Sequence, residues 1–255
     1  MAVQTQQMTF WDHLEDLRKS LFRVAAVLVA VTVALFFFKD FLFDDVILAP
    51  SKSDFFLYRL LGTDFRLTMV NLEVAAQFMI HMKTTFVCAL VVTIPYIIYE
   101  LWRFIAPALY DNEKKAISGA FTFASALFYI GIAVGYFVIF PIMLNFFVNY
   151  QVSADVPNTF SLSSYMSLFI STMLTFGLVF EFPTVIAVLS GLGVVTKELL
   201  KEYRRHAICI VVILAALITP SGDPFSLMVV CVPLYFLYEF SILICKNRVQ
   251  QIEEE

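Results

Sequence analysis

The chain has 255 residues, of which 60% are hydrophobic and only 15% charged, and its mean hydropathy is +0.83. A soluble domain carries roughly 25% charged residues, so this balance excludes an ordinary soluble enzyme or nucleic-acid binder and points to a chain that crosses a membrane several times. The formal net charge of −4 decides little, because charge in a membrane protein acts by where it stands.

In chain order, residues 1–20 are polar and acidic and carry no short apolar core with a small-residue cleavage site, so they read as a cytoplasmic segment rather than a cleavable signal. The first predicted span is 21–38, with Arg23 near its start, where the guanidinium can snorkel to the interface. The outer loop 39–75 holds too many Phe and Leu residues for a disordered linker, and predicts short amphipathic helices on the bilayer surface. The second span runs over 76–101, with His81 and Lys83 near its start and Pro95 toward its end. Snorkelling explains Lys83 as well as a functional role does. In "LWRFIAPALYDNEKK" (101–115), Pro107 argues against a helix continuous into the next span.

The third span, 116–148, has no Asp, Glu, Lys or Arg, exceeds one bilayer crossing and should bend near Pro141. The loop 149–162 reads as an ordered cap, with Ser161 or Ser163 capping the next helix. The fourth span, roughly 163–191, contains Glu181. The fifth, 207–219, is short and stops at Pro220; the sixth starts near Phe225, carries Pro233 and meets Glu239 before Lys246. The tail 246–255 reads as solvated and frayed. The fold class expected is therefore an all-α integral membrane protein of six transmembrane helices, a single polytopic domain over 1–255, with no convincing internal repeat.

Charge placement sets the orientation. Twelve lysines and arginines stand on the side of the termini (Arg18, Lys19, Arg23, Arg103, Lys114, Lys115, Lys197, Lys201, Arg204, Arg205, Lys246, Arg248), and four on the other (Lys39, Lys52, Arg59, Arg66). Positive charge stays inside, so both termini are expected in the cytoplasm and the chain in a bacterial inner membrane. Trp11 and Trp102 both fall at the cytoplasmic interface.

Motifs for chemistry are missing. No G-x-x-x-x-G-K-[ST], H-E-x-x-H or G-x-S-x-G occurs, which argues against an enzyme and against a cofactor. Cys88, Cys209, Cys231 and Cys245 sit in apolar runs without C-x-x-C or metal-ligand spacing, and read as small buried hydrophobes. His13, His81 and His206 are scattered near the interfaces and read as polar tips there.

Carboxylates carry more information. An ionised Glu181 at mid-span costs about 2.5–3.5 kcal/mol on insertion scales, so it must be protonated, hydrated or paired. It is either a structural hydrogen bond to a neighbouring helix or a polar contact for a partner segment. Asp12, Glu15 and Asp16 precede the first span, and Asp111 and Glu113 precede the third, on the side where positive charge dominates. Helix N-termini favour carboxylates through the macrodipole, and the adjacent Arg18, Lys19, Lys114 and Lys115 offer weak exposed pairs. The functional reading is a site for cationic ligand groups.

The segments "HLEDLRKSLFR", "YELWRFIAPALYDNEKK", "FYIGIAVGYFVIFP", "FGLVFEFPTVIAVL" and "LITPSGDPFSLMVVCVPLYFLYE" occur in this order and together resemble the TatC family, the signal-peptide receptor subunit of the twin-arginine protein translocase. The likeness runs from about residue 10 to 245, agrees with the topology read from charge, and implies six spans with both termini cytoplasmic and short fifth and sixth helices. It implies that folded cargo with a twin-arginine signal peptide is recognised at the cytoplasmic face, that single-span TatA-like and TatB-like subunits join in a multimeric complex, and that the proton motive force drives export. By the same resemblance the acid of the first motif falls on Asp16, with Glu15 directly before it, so either can face the ligand. That of the second falls on Glu113, and Phe104 joins the same surface. Glu181 matches a polar residue of the fourth span and Pro50 a proline of the first outer loop. Thr219 and Asp223 match the end of the fifth span and the following turn, near where partner helices dock. That turn, T-P-S-G-D-P, is one residue longer than the usual form, and Leu227 replaces a residue that is often polar. The competing reading is a proton-coupled secondary transporter. Proline-interrupted spans favour it, and the single mid-membrane acid and the missing inverted repeat oppose it.

Overall fold

A computed structural model describes residues 10–62, 67–108, 111–153, 155–156, 158–219 and 222–245, without the side chains of 10, 12, 61, 108, 111–118, 120, 122 and 218. Helices dominate. α1 (Phe10–Phe37) is followed by a π-helical stretch Phe41–Ile47, a 3₁₀ turn Ala49–Ser51 and the short α2 (Phe56–Leu61). Gly62 closes α2 at φ 63°, a left-handed conformation that glycine adopts without steric cost. The two-residue strand β1 (Met69–Val70) leads into α3 (Ala76–Ile105), which carries Pro95. Next come α4 (Asp111–Val134), a π-helical turn Gly135–Ile139 and α5 (Phe140–Asn149), then β2 (Phe160–Ser161), α6 (Leu162–Val179) and α7 (Phe182–Gly191). The chain ends through α8 (Lys197–Glu202), α9 (Arg204–Ile218) and α10 (Pro224–Ile244).

Among the described residues, five segments are long and apolar enough to cross a membrane: His13–Phe37, Ala76–Ile105, Phe123–Asn149, Leu162–Gly191 and Pro224–Ile244. α9, the expected fifth span, has 15 residues, about 22 Å at 1.5 Å per residue against a core of about 30 Å. α10, expected to be short as well, has 21 residues and reaches crossing length, so only the fifth helix is short.

Three breaks trace to proline. Pro107 lies in a 3₁₀ turn, Ala106–Ala108, that ends α3 before α4 begins. Pro141 has no N–H to donate back, and the bend expected there is the π-helical turn just ahead of α5. Pro183 breaks the ladder in the same way, so α6 and α7 meet at a turn over Phe180 and Glu181.

Two glycines let α4 and α6 cross. A Cβ on Gly131 would fall on the Phe176 carbonyl and on Phe180, and one on Gly177 would stand 2.7 Å from the Phe128 ring. Small residues at such a crossing replace the hydrophobic drive that lipid cannot supply.

At the end of the bundle where α3 and α6 begin, loop and helices form a cap. Pro50 is fully buried, and three tyrosines pin the chain around it. Tyr136 donates to the Val46 carbonyl at 2.7 Å, Tyr165 to the Ile47 carbonyl at 2.7 Å and Tyr58 to the Pro50 carbonyl at 3.0 Å. Burial pushes the Tyr58 phenol up, so it stays a donor. β1 and β2 pair in parallel, Met69 opposite Phe160 and Val70 opposite Ser161. Ser161 then caps α6 by accepting from the Ser164 N–H at 3.1 Å, one of the two caps expected.

Candidate functional site

α1 and α3 lie antiparallel, held by two ring pairs. His13 stacks on Phe104 with centroids 4.2 Å apart near the start of α1, and Phe36 stacks on His81 at 4.3 Å near its end. Neither histidine is a simple interfacial tip. His81 also meets Phe43 edge-on at 5.6 Å, and its Nε2 is buried without a hydrogen-bond partner.

Between those ring pairs sits a buried carboxylate that the sequence reading missed. Glu100 has only 4% of its side chain exposed. Arg23 grips it with both arms of its fork: Nε donates to Oε1 at 3.0 Å and Nη2 to Oε2 at 2.8 Å. Nη2 also donates to Ser20 Oγ at 2.9 Å. Tyr96, one turn back on α3, donates to Glu100 Oε1 at 3.1 Å, and Arg103 Nη1 stands 4.0 Å from the same oxygen. So Arg23 does more than snorkel; it joins two helices. A signal existed in the sequence, since an acid in the apolar run "IPYIIYEL" needs a partner.

The expected recognition residues distribute around this seam. Asp16 is exposed on α1, and among the described residues it makes no ion pair. Glu15, also exposed, pairs with Lys19 at 3.0 Å. The seam thus distinguishes the two acids: Glu15 is engaged by a cation on its own helix, and Asp16 is open. Phe104 is half-buried under His13. Glu113 stands in the first turn of α4, directly after the Pro107 turn; its side chain lies outside the described residues, as do those of Asp12 and Asp111. The structure therefore brings Asp16, Glu15 and Phe104 to one end of the α1–α3 pair, with the backbone of Glu113 following in the next helix.

The remaining candidates lie elsewhere. Glu181 opens onto a groove of about 400 Å³ between α6–α7, α9 and α10, walled by Leu178, Val185, Ile210, Leu214, Leu234 and Leu237. Its Oε1 is buried and makes no hydrogen bond of good geometry, the hydroxyl of Thr184 being the side chain that acts on the carboxylate. Thr219 ends α9, buried, with its hydroxyl oxygen unpartnered. Asp223 caps α10, its Oδ1 accepting from the Ser226 N–H at 2.7 Å. Leu227 packs against the α9–α10 core. Pro50 belongs to the tyrosine cap. Among the described residues, no group of three or more His, Cys, Asp or Glu side chains is arranged to hold a metal ion.

A family model described as "Sec-independent protein translocase protein (TatC)" matches residues 12–233. The TatC protein of Blattabacterium sp. subsp. Periplaneta americana is 38% identical over 259 residues, covering 96% of this chain and 97% of that protein. The TatC protein of Escherichia coli is 32% identical over 247 residues, covering 95% and 89%. A crystal structure of the twin-arginine translocase receptor TatC in DDM superposes with a TM-score of 0.75 at 28% identity, over 92% of this chain and 99% of that one.

Proposed function

The chain belongs to the TatC family of Sec-independent protein translocase proteins, and on that premise we propose that it is the receptor subunit that reads twin-arginine signal peptides at the cytoplasmic face of a bacterial inner membrane. Both termini are cytoplasmic in this reading, and α9 is a sixth, short crossing. The observation that carries it is the α1–α3 seam: His13 on Phe104 fixes an end of the bundle where Asp16 stands open next to the turn that leads into Glu113. One carboxylate on α1 and one on α4, the two helices that both pack on α3, suit two neighbouring guanidinium groups, because arginine binds carboxylate as a bidentate fork that lysine does not copy. The Glu181 groove is the seat for the helix of a single-span TatA-like or TatB-like subunit, whose polar side chain satisfies the buried oxygen. The proton motive force drives export from the assembled complex.

The test is binding of signal peptides carrying paired arginines or paired lysines to the receptor in lipid nanodiscs. A charge-assisted hydrogen bond contributes about 1.5–3 kcal/mol, so Glu113→Ala and Asp16→Ala should each weaken the arginine peptide by roughly 10- to 150-fold. Glu15→Ala should matter least, because Glu15 is already paired with Lys19. Normal binding and undiminished arginine preference in both Glu113→Ala and Asp16→Ala would overturn the assignment.

A further inference from the structure

His13, Asp16, Ser20 and Arg23 follow at intervals of three, four and three residues, so one stripe of α1 carries all four. Three of them are engaged: His13 stacks on Phe104, and Ser20 and Arg23 meet at Glu100. Asp16 lies between them on the same stripe and is exposed. Its position is therefore fixed by contacts on either side of it.

We propose that the Arg23–Glu100 pair, seated by Tyr96, is a positioning device that holds α1 in one register on α3 and thereby sets the receptor's preference for guanidinium over ammonium. The inference rests on the signal-peptide reading above and deepens it. Arg23 and Glu100 do not touch the peptide in this account; they act through Asp16.

Stability alone is a weak reason for such a pair. Glu100 is buried but Arg23 is 39% exposed, and a pair with one half-open member contributes little net stability, whereas a fork on a carboxylate admits one geometry. The apolar contacts along the rest of the seam are less directional than this fork, so the ring stacks alone hold the register less tightly. A slip of one helical turn would move Asp16 by about 5.4 Å. A bidentate arginine contact does not survive that shift. A lysine ammonium, a compact charge on a flexible stem, adapts to it. Loss of the register should therefore remove the preference while leaving lysine binding near its original level.

The molecule contains its own control. Tyr235 and Glu239 on α10 repeat the spacing of Tyr96 and Glu100. Tyr235 donates to Glu239 Oε1 at 3.0 Å, and Arg204 of α9 donates to Oε2 at 2.6 Å. This second cluster joins α9 to α10 and is more open, with 30% of the Glu239 side chain exposed. Its hydrogen bonds stay within α9 and α10.

The experiment compares wild type, Glu100→Gln, the doubly neutral Arg23→Met/Glu100→Gln and the control Glu239→Gln. Binding of both peptides is read alongside thermal stability and the yield of a disulfide between His13→Cys and Phe104→Cys in a background lacking the native cysteines. In Glu100→Gln and in the double variant, arginine-peptide affinity should fall about tenfold, lysine-peptide affinity should hold, and disulfide yield should drop. Glu239→Gln should match wild type in all three. A folded double variant that keeps the wild-type preference overturns the proposal. So does failure of both seam variants to fold, which would make the pair a stability element only. If wild type itself shows no arginine preference, the signal-peptide reading falls first. If wild type shows it and Asp16→Ala loses it while Glu100→Gln does not, only the positioning role falls.

Discussion

At the scale of single residues, two glutamates set in apolar runs contrast. Glu100 has both oxygens satisfied, by a cation and a phenol, while Glu181 has a buried oxygen without a hydrogen bond of good geometry, facing a groove large enough for a helix side chain. An unmet polar atom in an apolar setting costs about 1–3 kcal/mol, and a partner that donates to it recovers that cost. Glu181→Gln should therefore be mild in co-purification of the single-span subunits. Glu181→Ala should weaken that association and leave the receptor folded; an unchanged yield of co-purified subunits with Ala would make Glu181 purely structural. Glu181 was legible in the sequence because a lone acid in an apolar run announces itself. Glu100 stands at the edge of such a run too, but Trp102 and Arg103 beside it made the stretch read as an interface, and its partner Arg23 is 77 positions away. Charge spacing along the chain says nothing of pairings that only packing creates.

Elements were read best where one rule dominates. Spans followed from apolar length, and the breaks near Pro107 and Pro141 from a missing N–H. The short parallel pair of β1 with β2 was not foreseen, because two residues cannot show an alternation and the partners lie in separate loops. Nor did the sequence say which glycines matter. At Gly131 an added Cβ would fall on the backbone of α6, and at Gly177 on the Phe128 and Ile132 side chains of α4, whereas at Gly119 a Cβ meets nothing within 4 Å. Gly131→Leu should cost roughly 1–3 kcal/mol or more through forced separation of the helices, lowering the thermal midpoint measured in detergent. Gly119→Ala should be neutral or slightly stabilising, since alanine is the better helix former. Equal behaviour of the two variants would refute the close-crossing argument. The tyrosine cap gives a second check on how elements are held: Tyr165→Phe removes the donor to the Ile47 carbonyl and should lower stability by about 1 kcal/mol.

For the whole molecule, the threading of the bundle through the bilayer turns on α9. Five segments have crossing length, and α9 falls short by about 8 Å of the hydrocarbon core. A short helix crosses if the bilayer thins around it or if the polar residues at its ends snorkel. Residues able to snorkel stand at one end: α9 starts at Arg204, Arg205 and His206. If α9 crosses, the ends carrying Trp11, Arg103, Lys201 and Arg204 share one side, which holds twelve lysines and arginines against four. If α9 does not cross, α10 must run the other way and Arg204 could not meet Glu239 at 2.6 Å, because the start of α9 and the end of α10 would lie on opposite sides. The ion pair thus supports the six-crossing arrangement and gives its test. In a background without native cysteines, Leu17→Cys and Lys201→Cys should react with an impermeant maleimide only when the cytoplasmic side is opened. Asp54→Cys and Asp155→Cys should react in intact cells with a permeable outer membrane. Labelling of Asp155→Cys from the cytoplasm, or of Lys201→Cys from outside, would break the threading that puts Asp16, Glu113 and the Arg204–Glu239 pair on one face.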